Sequence, residues 1–151
     1  MVRENSEYTH TPDADPGRVN CLSFVLFSLG VLETEIYVDP LNQYFAVREL
    51  FTEVETIEDA DMIAIEDGGK LPKAIHAMLV DKSDPDFAMQ RPGYGAPVER
   101  VRVKDFIEPN VEEMKKQNMK LVNLKLTTPI ERKLTTEDLP RVVLTSWGFE
   151  G

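Results

Sequence analysis

The sequence predicts an α+β domain, with N-terminal helices packed on an antiparallel sheet. Three observations carry this. An apolar segment at residues 21–29 is bracketed by Asn20 and Gly30, the residue types that start and stop a helix. A second helical pattern follows Asp39 and Pro40. From residue 62 onward, short apolar or alternating runs separated by Gly, Pro and Asp read as successive strands. A length of 151 residues fits one domain with a substantial core.

Residues 1–18 are polar and broken by Thr11-Pro12-Asp13 and Asp15-Pro16-Gly17, and they read as an irregular arm. The helix at 21–29 is apolar nearly all round, the pattern of a buried central helix. In the second helix Leu41, Tyr44, Phe45, Val47, Leu50, Phe51 and Val54 recur at helical spacing. An acidic loop at 56–61 leads to a buried strand at 62–65, ended by Glu66-Asp67-Gly68-Gly69. Further strands are expected at 74–80, 87–90, 98–103 and 121–126, with a polar helix at 109–120. Thr135 to Asp138 can start one helical turn, and residues 141–145 suit a last strand. On this reading 1–18 is the arm, 19–108 the core, and 109–151 a helix and strand extension of the same domain.

The formal charge is −10, from 27 acidic and 17 basic residues. Such a surface repels phosphate backbones and anionic headgroups, which argues against nucleic acid or a membrane as partner. The polar, mixed-charge start Met1-Val2-Arg3-Glu4 lacks the form of a secretory signal. A cytoplasmic protein, or one released by another route, is the expectation. A single cysteine and two histidines, 66 positions apart, make no local metal cluster. No metal or organic cofactor is expected.

Cys21 opens the buried helix, where unpaired backbone N–H groups and the helix dipole favour a thiolate. A thiolate is the nucleophile of acyl transfer, and a histidine is its usual base. His76, near the start of an apolar strand, is placed for that role. His10 falls in the arm and reads as solvated. The carboxylates Glu53, Glu55, Glu58, Asp59 and Asp61 read as a solvated surface. Gly68-Gly69 reads as a hairpin turn, because no helix follows to bind phosphate.

Val19-Asn20-Cys21-Leu22-Ser23-Phe24-Val25, Ala60-Asp61-Met62-Ile63-Ala64-Ile65 and His76-Ala77-Met78-Leu79-Val80 together resemble, in their order along the chain, the papain-like, NlpC-type cysteine hydrolases. The resemblance spans about residues 8–106. Asn20 stands where the family carries Asp, Leu22 where it carries a small residue, and Ser23 where Gly is common. The resemblance implies a papain-like fold, Cys21 as nucleophile, His76 as base, and bacterial cell-wall peptides as the substrate class. It places Tyr8, 13 positions before Cys21, near the oxyanion site. It also implies a third polar residue on the strand after the histidine. Gln90 is the polar residue of that strand, whereas a one-residue shift of register presents Met89. Asp81 and Asp86 are further positions at the turn. The alternative is a binding or structural protein that kept this fold without the activity.

Overall fold

The computed structural model describes residues 19–67, 69, 71–92 and 95–140. In chain order the elements are α1 (Cys21–Ser28), α2 (Tyr44–Arg48), β1 (Phe51–Val54), β2 (Met62–Glu66), β3 (Ala74–Val80), β4 (Phe87–Gln90), β5 (Glu99–Arg102), α3 (Val103–Ile107), α4 (Val111–Lys116) and β6 (Lys120–Leu126). One six-stranded antiparallel sheet runs β1-β6-β2-β3-β4-β5. The α+β class expected from the sequence is therefore present.

Strand periodicity sorts the side chains into two layers. On one face Met62, Ala64, Ala77, Val122 and Leu124 pack against Leu22, Val25 and Leu26 of α1, with Val31, Leu32, Tyr44 and Val47 around them. On the other, Ile63, Met78, Val80 and Ala88 pack with Val103, Phe106 and Ile107 of α3. Five successive buried residues in β2 follow from this, because both of its faces are covered.

α1 is bounded as its sequence dictates. Asn20 Oδ1 accepts from the Ser23 N–H at 2.8 Å, and Ser23 Oγ accepts from the Asn20 N–H at 2.7 Å. This reciprocal box satisfies two donors at the helix start. Gly30, at φ +82°, closes the other end in the left-handed conformation. Its N–H meets the Phe27 carbonyl, and the Val31 N–H meets that of Leu26, the double bond of a Schellman ending.

The second helix is shorter than expected. Asp39 Oδ1 caps a turn by accepting from the Leu41 and Asn42 N–H groups, but the helix proper covers only Tyr44–Arg48. Phe51 and Val54, placed in that helix by their spacing, belong to β1, which pairs with β6. The 98–103 strand stops at Arg102, and Val103 starts α3. The helix expected at 109–120 is a 3-10 turn, Glu108–Asn110, continuing into α4. Thr135 does cap one turn, Thr136–Asp138. Residues 141–145, expected as a strand, lie outside the described residues.

Candidate functional site

Cys21 is the first residue of α1 and packs, partly buried, against the α1-side core. Asn20 fixes the entry to this turn. Beyond capping the helix, its amide nitrogen donates to the Val38 carbonyl at 3.1 Å. Leu22, where the resembled family has a small residue, is fully buried in the α1 core. Its bulk is therefore spent on packing beneath the helix rather than beside the sulfur.

The pairing of β3 explains what the sulfur meets. The Val80 N–H donates to the Asp61 carbonyl on the β2 side. Backbone N–H groups alternate sides along an antiparallel strand, so those of Leu79 and Ala77 point toward β4. β4 pairs with β3 at Leu79 and Val80 only. The Ala77 N–H therefore emerges at a free edge facing the Cys21 sulfur, and with the N–H groups of Leu22 and Cys21 itself it favours the thiolate. The thiol thus faces the residue directly after His76.

His76 lies opposite Ile65 of β2, on the α3 face of the sheet. Its ring stacks on Phe106, centroids 5.2 Å apart. Its Nε2 is 2.6 Å from Gln90 Oε1. The β3–β4 register brings Met89 opposite Leu79, on the α1 face, and so turns Gln90 to the face that carries His76. Gln90 is buried, and its Nε2 donates to Glu99 Oε2 of β5 at 2.7 Å. Of the two turn positions weighed from the sequence, Asp81 pairs instead with Arg100, and Asp86 lines a cavity on the α3 face.

Among the described residues no hydrogen bond joins the Cys21 sulfur to the His76 ring. His76 belongs to the α3 face, stacked on Phe106, and Cys21 packs on the α1 face. Burial raises the thiol pKa above its ordinary value, against the three N–H groups that lower it. Burial likewise lowers the His76 pKa, against the bond from Gln90 that raises it. The helix start was expected to favour a thiolate. It does pull in that direction, but desolvation is the larger effect. Both shifts favour the uncharged form of the group.

A buried ion pair supports the site from behind. Arg91, directly after Gln90, is 2% exposed. Its Nε and Nη2 donate to Glu35 Oε2 and Oε1 at 3.0 and 3.1 Å, and its Nη1 donates to the Ala96 carbonyl. Phe24 of α1 lies under the guanidinium at 5.9 Å, and Gly95 donates to the Val19 carbonyl. The end of β4 is thereby bound to the start of α1. Glu35, Glu99 and Phe106 were not foreseen as neighbours of the site. Each comes from a different segment, and the separation of these segments along the chain left no local pattern to read.

Tyr8 and His10 lie outside the described residues. Among the described residues no group of three or more His, Cys, Asp and Glu side chains is placed to hold a metal. No helix there is long and apolar enough to cross a membrane. A cavity of about 600 Å³ on the α3 face is lined by Ile63, Val103, Ile107 and Leu121, with Arg102 and Lys104. Neither Cys21 nor His76 lines it. In comparisons with known proteins, no family model, curated protein or solved structure matches the chain.

Proposed function

We propose that the protein is a papain-like, NlpC-type cysteine hydrolase that cleaves an amide bond, with peptides of the bacterial cell wall as the substrate class. The observation that carries this reading is the 2.6 Å contact between His76 and Gln90, one residue along β3 from Ala77, whose N–H favours the Cys21 thiolate. In this mechanism His76 takes the thiol proton and the Cys21 sulfur bonds to the carbonyl carbon. The backbone N–H of Cys21, with the hydroxyl of Tyr8, stabilises the oxyanion. As the C–N bond breaks, the imidazolium returns its proton to the leaving amine. Water, activated by the same imidazole, then hydrolyses the thioester. Gln90 keeps the ring in register throughout.

The burial of thiol and imidazole, which favours the uncharged form of each, supports a second reading, a binding protein that shares the fold and lacks the activity. Alkylation separates the two. The rate of Cys21 modification by iodoacetamide is measured from pH 5 to pH 9 in the wild type and in His76→Ala, with mass spectrometry to confirm the site. A hydrolase dyad gives at least about a tenfold slower reaction in His76→Ala at neutral pH, the scale of general-base assistance. Equal rates across the range mean that the imidazole does not activate the thiol, and the hydrolase reading falls.

A further inference from the structure

The geometry points to Glu99 as a positioning residue that sets which nitrogen of His76 carries the proton. The deduction is one of hydrogen-bond polarity. An ionised carboxylate can only accept. Glu99 Oε2, 2.7 Å from Gln90, must therefore face the amide NH2, because two acceptors at that distance repel. This orients the whole amide of Gln90 and turns Oε1 toward His76 at 2.6 Å. Oε1 is itself only an acceptor, so His76 Nε2 must be the donor and hold the proton. Nδ1 is then the nitrogen with the free lone pair.

Three residues from three adjacent strands thus form a one-way chain, from the charge of Glu99 through a neutral amide to the imidazole. Gln90 alone does not fix the tautomer, since an unconstrained amide can turn over and present either end. Glu99 removes that freedom. Gln90 is 5% exposed, so an amide end left without a partner there would be costly. Glu99 itself is exposed, which lets it be changed without opening the core. Its use in catalysis rests on the hydrolase reading, because a base must present a bare nitrogen to the thiol. The polarity of the chain does not rest on it.

The test is nitrogen NMR of the imidazole in full-length protein. His10→Gln is introduced in every sample, leaving His76 as the single histidine. Wild type, Glu99→Ala and Glu99→Lys are compared well above the histidine pKa. The wild type should hold the proton on Nε2, with Nδ1 bare. Lysine reverses the polarity, since it only donates, and should draw Oε1 of Gln90 away from His76. The population with the proton on Nδ1 should then rise by at least about tenfold, the scale of one charge-assisted bond. Alanine should weaken the preference without reversing it. A wild type protonated on Nδ1 overturns the proposal, and so does a tautomer ratio that neither substitution moves. Cys21 alkylation in the same samples reports separately on the hydrolase reading. A tautomer that responds to position 99 stands whether or not the thiol is activated.

Discussion

Replacing Arg91 with methionine isolates the buried ion pair behind the site. The change keeps a long side chain over Phe24 but removes both bonds to Glu35 and the one to Ala96. Glu35 is 8% exposed, so its carboxylate would be left almost without solvent. Removing one partner of a buried pair costs about 3–5 kcal/mol. At about 2–4 °C per kcal/mol for a domain of this size, the melting temperature should fall by roughly 10 °C at pH 7.5. Burial already raises the Glu35 pKa, and Arg91, with a lesser part from Ser23, opposes that rise. Without Arg91 the folded pKa rises further above the unfolded value of about 4.3. Between those two values the folded state binds the extra proton, so the variant gains stability as pH falls toward about 4.3 and loses it as pH rises. The assay is urea unfolding of wild type and variant at pH 4.5 and 7.5, with Arg91→Met/Glu35→Leu as control. The deficit should shrink at pH 4.5, and the double variant should recover much of it. A loss below about 1 kcal/mol, or one independent of pH, would refute the reasoning.

Four further outcomes are expected. Cys21→Ser should abolish iodoacetamide labelling while melting within about 2 °C of wild type, since serine suits a helix start; a large loss of stability would mean that the thiol is a packing residue. Gln90→Ala should slow Cys21 alkylation, yet by less than His76→Ala does, because a neutral amide orients the ring without supplying the base; a rate equal to wild type removes Gln90 from the site. His76 should titrate below the usual 6.5 in NMR, and because its folded pKa is the lower one, stability should fall with acid below about pH 6.5; a midpoint above 6.5 would contradict its burial. Asn20→Ala should cost about 1–2 kcal/mol in urea unfolding through the lost cap and the lost bond to Val38; no change would show that Ser23 caps the helix alone.

The elements nearest the site were the most legible in the sequence. α1 could be read because both of its ends carry local chemistry, an amide cap at Asn20 and a left-handed Gly30. β3 and β4 were read with their observed bounds because turn residues flank apolar runs. Phe51 and Val54 misled for a physical reason. A four-residue strand offers too few alternations to compete with a helical pattern running into it, and its partner β6 lies about 70 residues further on. The polarity of the helix start at Cys21 was local and legible. The desolvation that outweighs it arises from segments distant in the chain. The same holds for Glu35 and Arg91, whose 56-residue separation hides a contact of 3 Å from any reading by period. Glu99 stood in a strand recognised as charged on one side, but only the β4–β5 register makes it a neighbour of Gln90.

The place of β6 has a consequence for how the chain is made. Among the described residues it is the last strand in sequence, yet it sits between β1 and β2. During synthesis from the N-terminus, β1 therefore has no neighbour in this sheet, and β2 keeps an open edge, until residue 126 has left the ribosome. Phe51, Met62 and Ala64, which end up buried, are among the side chains left uncovered meanwhile. A chain released before Lys120 would present those same edges permanently, a state prone to pairing with other copies of itself. Quality control of nascent protein would meet these open edges for as long as β6 is still to come.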